Sequence, residues 1–177
     1  MIETIQLSEV EKNLPVGDAA KLRGLNSAGN GVLMDPANLP HPNMGSGIVS
    51  GSVYNGKWYR IAIGAIGNYP SSGLFNIANV FYNESPRAII VYAFTEGYGS
   101  GSTIVKMASS PIAPINKARV VYAQSQSLIS YLDVYVRIPG ETRFIISASC
   151  LIEFKLQKPE EVNEAIPEGY SAKEFTF

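Results

Sequence analysis

The sequence of 177 residues has one cysteine, Cys150, and one histidine, His41. A lone cysteine excludes a disulfide framework or a multi-cysteine metal site within one chain. Cys150 falls in the apolar run 144–154, so its thiol is expected to be buried and inert, a small hydrophobe. Charge is also scarce. Asp, Glu, Lys and Arg make up 16% of the chain, well below the roughly 25% usual in soluble domains. Such a chain is expected to bury unusual surface, in a large core or against copies of itself. A net charge of −1 leaves no basic stripe to displace counterions from phosphates, so nucleic acid is not an expected partner. No apolar run approaches the ~18 residues that a membrane-spanning helix needs, so no membrane insertion is expected. Glu3, Glu9 and Glu11 occupy the region where a signal peptide would carry basic and apolar residues, so export by that route is not expected.

What the chain does have is 16 Gly, 11 Pro, 10 Tyr and 7 Phe, the composition of turns and sheets. The clearest strand is Lys57-Trp58-Tyr59-Arg60-Ile61-Ala62-Ile63-Gly64, entered through the hairpin pair Asn55-Gly56. Alternation places Tyr59, Ile61 and Ile63 on one face, and Trp58, Arg60, Ala62 and Gly64 on the other. From residue 48 the device repeats, predicting strands over 48–54, 58–63, 74–81, 88–95, 103–108, 119–123, 128–138 and 143–157. In 128–138 the split is clean: Leu132, Val134, Val136 and Ile138 share one face, Tyr131, Asp133, Tyr135 and Arg137 the other. With no helix-length amphipathic segment between the strands, the expected fold is all-β, an antiparallel β-sandwich, jelly-roll-like.

Four regions are expected: an N-terminal unit over 1–39, a linker over 40–47, the sandwich over 48–157, and a C-terminal extension over 158–177. In the N-terminal unit, 2–7 reads as a strand, Ser8 and Glu11 have capping-box spacing, and 21–35 reads as a hairpin turning at 26–30. Asp35-Pro36 has the form of a capped helical turn. Its apolar residues are too few for a separate core, so the unit is expected to pack on its own copies or on another protein. Pro40, Pro42, Gly45 and Gly47 mark the linker. The extension ends in Glu174-Phe175-Thr176-Phe177, two aromatics that either fray or dock on the sandwich or a neighbour.

The segment 88–94, Ala-Ile-Ile-Val-Tyr-Ala-Phe, is apolar on both faces, the pattern of a strand covered on both sides. In a two-layer sandwich the expected second cover is another subunit, with Ile89, Val91 and Phe94 as the interface residues.

The chemistry-bearing residues form no recognisable machine. A Ser-His-Asp arrangement would have to use His41, with Asp35 or Asp133, yet His41 lies between two prolines in the linker. Gly97-Tyr98-Gly99-Ser100-Gly101-Ser102 lacks the Gly-Lys-Ser/Thr ending and the following helix of a phosphate loop. Glu84, Glu96, Asp133, Glu141 and Glu153 contain no pair marked for glycoside cleavage. No catalytic residue, metal or cofactor is therefore expected. Tyrosine stacks on sugars and favours interfaces. Tyr69 and Tyr98, both in Gly-containing turns, are the candidate ligand contacts.

The segment Gly56-Lys57-Trp58-Tyr59-Arg60-Ile61-Ala62 resembles the Gly-x-Trp-Tyr-Arg-(Ile/Val)-Ala strand that often opens the C-terminal β-sandwich of tailed-bacteriophage fibre proteins. Leu132-Asp133-Val134-Tyr135 is similar to a later strand of the same domains. The segment from Leu22-Arg23-Gly24 through Gly29-Asn30-Gly31-Val32 to Leu39 is similar to hairpin units of fibre shafts and attachment regions. The resemblance implies a virion protein made in the host cytoplasm. Its N-terminal part would join other virion proteins, and its sandwich would form a homotrimer and offer loops to a host-surface glycan or protein. Receptor contacts in that family lie in variable loops, so the resemblance carries over no binding residue. The alternative from another class is a non-viral carbohydrate-binding, lectin-like module.

Overall fold

The structure, a computed structural model, describes residues 22–25, 31–34, 45–66, 69–79, 86–96, 101–123, 128–138 and 140–177. The chain divides into two compact units, Met1–His41 and Pro42–Phe177, so the division falls inside the expected linker. In the first unit β1 (Leu22–Leu25) pairs antiparallel with β2 (Gly31–Met34), Leu22 opposite Met34 and Leu25 opposite Gly31. This is the hairpin read from the sequence. The predicted strand over 2–7, the Ser8–Glu11 cap, the turn over 26–30 and the Asp35-Pro36 turn lie outside the described residues.

Among the described residues the second unit holds ten strands: β3 (Gly45–Tyr54), β4 (Trp58–Ile66), β5 (Ser71–Asn79), β6 (Arg87–Thr95), β7 (Thr103–Ser109), β8 (Ile115–Tyr122), β9 (Ile129–Val136), β10 (Glu141–Ile152), β11 (Lys155–Val162) and β12 (Ser171–Thr176). They form two five-stranded sheets, ordered β3-β10-β5-β6-β7 and β11-β4-β9-β8-β12, and every pairing is antiparallel. The fold is a β-sandwich. Two sheets each apolar on one face bury those faces against each other. Phe75, Ile77, Ile89, Val91, Phe144 and Ile146 from the first sheet meet Ile61, Val120, Leu132, Val134 and Val136 from the second, all fully buried.

The predicted β9 faces hold, with Leu132, Val134, Val136 and Ile138 all in the core. In β4 the alternation holds only to Ile61. Arg60 pairs with Asp133 and Ala62 with Leu132, so Ile61 is an extra residue with no opposite number. This bulge turns Ala62 inward as well, and Ile61 and Ala62 are both fully buried while Ile63 moves out of the core. A single inserted residue reverses every face beyond it. The inward-turned Gly64 is confined by Ser71 and Ser130, and a Cβ there would sit 2.7 Å from Ser71 Oγ. That hydroxyl also accepts the Ala65 N–H at 2.7 Å.

The long run expected as one strand over 143–157 is two strands in different sheets. Cys150 and Glu153 take φ of 53° and 60°, a left-handed backbone that costs non-glycine residues roughly 1–3 kcal/mol each. The chain turns at this corner, and Phe154 fixes it by inserting edge-to-face on Phe75, ring centres 5.6 Å apart. Cys150, expected inside, is exposed, because the corner rotates it out of the alternation. β11 then lies beside β3 so closely that a Cβ on Gly51 would approach Pro159 Cδ to 3.0 Å. Pro159 is tolerated on an edge strand, which need not donate outward.

The C-terminal extension is part of the sandwich. β11 and β12 are the two edges of the second sheet, and Phe175 and Phe177 pack against the core. Of the two fates expected for the terminal aromatics, the structure shows docking.

Candidate functional site

The outer face of the second sheet carries a buried ionic cluster. Asp133 on β9 accepts from Arg60 Nε on β4 at 3.0 Å and from Arg119 Nε on β8 at 3.2 Å. Register brings the three together, since Asp133 lies opposite Arg60 on one side and Arg119 on the other. The Asp133 side chain is 0% exposed, Arg119 4% and Arg60 16%. Both guanidinium groups lie over aromatic rings: Arg60 Cζ is 3.4 Å from the Tyr131 ring centre, and Arg119 Cζ 4.3 Å from that of Trp58. Trp58 in turn meets Tyr135 edge-on at 5.3 Å. Cations on π faces and in charge-assisted hydrogen bonds are held in fixed geometry.

The cover over the cluster is the segment 163–170, which joins the two edge strands β11 and β12 across the outer face. Arg119 Nη1 donates to the Glu164 carbonyl at 2.7 Å and Nη2 to the Asn163 carbonyl at 2.8 Å. Tyr170 packs on Tyr131, ring centres 5.6 Å apart, and donates its hydroxyl to that of Tyr131 at 3.4 Å. Burial, helped by that hydrogen bond, pushes the Tyr170 phenol up to about 12. Beneath this strap lies a cavity of about 600 Å³, lined by Arg60, Arg119, Glu161, Val162, Asn163, Ala165, Ile166 and Pro167. Glu161 is engaged by Lys57 Nζ at 2.7 Å.

The outer face of the first sheet is of a different kind. Ile48, Leu74, Ile90, Tyr92, Phe94, Val105 and Ile145 share it by register with Ser50, Ser52, Asn76, Ser147 and Ser149. Ile48 is 75% exposed, Val105 46% and Ile145 43%. The sheet's charged side chains stand away from the centre: Arg87 opens β6, Glu141 and Arg143 lie in the first turn-ward residues of β10, and Lys106 is on the edge strand β7. Of the three residues expected at a subunit interface, Ile89 and Val91 are fully buried within the single chain. Only Phe94 points outward, half-buried. The strand is indeed apolar on both faces, but its outward residues are Ala88, Ile90, Tyr92 and Phe94.

Tyr69 is 70% exposed beside a cleft of about 520 Å³ whose lining includes Ile63, Ile66, Ile129, Glu153 and Lys155. Tyr98, His41, Asp35 and Glu84 lie outside the described residues. Of the acids considered for catalysis, Asp133 is committed to two arginines, Glu96 accepts the Gly101 N–H at 2.6 Å, Glu141 opens β10, and Glu153 is at the β10–β11 corner. Among the described residues no three His, Cys, Asp or Glu side chains cluster as metal ligands would, and no helix is long and apolar enough to cross a membrane.

The ionic cluster and its strap escaped the sequence reading. Its signal was present as Arg119 and Asp133, charged residues inside otherwise apolar strands, but only the register shows that they and Arg60 meet. Compared with known proteins, the chain matches no family model, no curated protein and no solved structure.

Proposed function

We propose that this chain is a structural subunit of a tailed-phage appendage, a tail or head fibre, which assembles as a homotrimer through the outer face of the β3-β10-β5-β6-β7 sheet. The observation that carries the reading is the set of large apolar side chains on that face, with Ile48, Val105 and Ile145 exposed among them, interspersed with Ser50, Asn76, Ser147 and Ser149. A face of this kind marks an interaction surface. Five strands ~4.8 Å apart and about nine residues at ~3.3 Å each give roughly 700 Å² per copy, close to the ~800 Å² that each partner buries in a standard stable interface. With charges at its margins, the face meets a second copy without like-charge repulsion. The number three and the virion setting come from the resemblance of the 56–62 and 132–135 strands to fibre sandwiches. In this reading the N-terminal hairpin unit joins other virion proteins, the sandwich is distal and non-catalytic, and its loops contact a host glycan or protein.

Substituting the centre of the face tests the proposal. Ile90→Lys places a charge where copies meet, and is expected to convert a trimer to a monomer in size-exclusion chromatography with far-UV circular dichroism unchanged. A variant that keeps the parent's elution volume overturns the assignment of this face.

A second reading, a lectin-like module, is favoured by one observation: Tyr69 stands exposed beside a cleft that also holds Glu153 and Lys155. A ring next to charged hydrogen-bonding groups is the chemistry that grips a sugar. Its mark would be a monomeric chain that binds glycans through Tyr69.

A further inference from the structure

The cavity beneath the strap holds a cation with unfilled hydrogen-bonding capacity. Arg60 spends its Nε on Asp133 and its π face on Tyr131. Among the described residues its terminal nitrogens have no protein acceptor, and the side chain is 16% exposed and lines the cavity. Arg119 is different, since both its terminal nitrogens are spent on the strap carbonyls.

The charge count points the same way. Arg60 and Arg119 carry two positive charges against the single negative charge of Asp133. Of the neighbouring acids, Glu161 pairs with Lys57 and Glu174 with Lys117, while Glu164 also acts on Lys117 and Glu160, opposite Arg60 in the register, accepts from Gln157. Within the triad two cations therefore face one anion in a partly enclosed place, poorly screened by water, while Glu160, Glu161 and Glu164 stand around it. Stacking on Tyr131 and the bond to Asp133 hold the guanidinium plane, so its remaining fork edge is pre-organised.

The geometry points to a binding site for a single carboxylate, received by the terminal nitrogens of Arg60 beneath the 163–170 strap. A planar anion with two oxygens matches a guanidinium fork with two parallel hydrogen bonds. A single carboxylate meets less repulsion from Glu160, Glu161 and Glu164 than a phosphate monoester at nearly two negative charges. The apolar wall of Val162, Ile166 and Pro167 suits the carbon skeleton behind the carboxylate. That skeleton is either an acidic sugar or a peptide carboxylate.

The test follows the Arg60 Nε–H signal of the full chain by NMR during titration with acetate, glucuronate or inorganic phosphate at constant ionic strength. Saturable shifts with acetate and glucuronate, and weaker binding of phosphate, are expected. Tighter binding of glucuronate than acetate assigns an acidic sugar, and equal binding assigns the isolated carboxylate of a peptide. Two variants guard against a general anion effect. Ala165→Trp, on the exposed surface of the strap, fills the cavity without touching the ion pairs and should weaken binding at least about tenfold. Arg60→Lys keeps the charge but loses the fork, and should weaken it by about tenfold. Absence of a saturable shift, tighter binding of phosphate, or undiminished binding in Ala165→Trp overturns the proposal.

Discussion

At the residue scale, Asp133 decides most. It is a fully buried carboxylate that accepts from two guanidinium groups on the strands to either side. A buried ion pair replaced as a whole can be neutral, but removal of one partner strands the others without compensation. Asp133→Ala would leave Arg119, 4% exposed, and Arg60 with no anion between them. The expected loss is about 3–5 kcal/mol of unfolding free energy, measured by urea denaturation. A loss under ~1 kcal/mol, the value of an exposed pair, would contradict the picture of a desolvated cluster. Asn55-Gly56 is the opposite case, a residue-level feature that the sequence declares openly. Gly56 takes φ of 75°, and the Asn55 side chain accepts the Ile138 N–H at 3.2 Å, tying the turn to the end of β9.

At the element scale the strap is the feature of most consequence. It spans the outer face of β4, β9 and β8 and is held by Arg119 at one end and Tyr170 at the other. The Tyr170 phenol has its pKa raised to about 12, from the ordinary value near 10. Between those values the unfolded chain has lost the proton and the native chain has kept it. The contribution of this group is therefore fully present below about pH 10 and is lost as pH rises through about 12. Urea midpoints of the parent are expected to fall across that window, and Tyr170→Phe should fall less. Equal alkaline declines in both chains would contradict a buried, strap-holding phenol. Elements also show where sequence legibility ends. Two-residue alternation located the eight strand regions between 48 and 157, because each has one face in the core. It missed the β4 bulge, since one extra residue leaves the composition unchanged. It fused β10 and β11 because their corner uses Cys150 and Glu153 in place of the glycines that announce a positive φ. It missed β12 because an exposed edge strand, Ser-Ala-Lys-Glu-Phe-Thr, has little apolar patterning to read.

For the whole molecule, the low charge content read from the sequence has a physical location. The second sheet places Arg60, Asp133 and Arg119 under a strap of its own chain, while the first sheet presents large apolar side chains interspersed with serines and Asn76 on its outer face. Doubly apolar β6 points to such a face, but its outward residues are Ile90, Tyr92 and Phe94, while Ile89 and Val91 lie in the core. The candidate cluster was not legible, because it depends on register across three strands. Both surfaces belong to the unit Pro42–Phe177.

The central claim is that the outer face of the first sheet packs against copies of the same chain. Its most direct test is the absolute mass of the full chain in solution, by multi-angle light scattering over a range of concentrations. The account predicts three times the chain mass of 19.1 kDa, stable on dilution. A mass of a single chain at every concentration would contradict it and shift the weight to the solitary sugar-binding module.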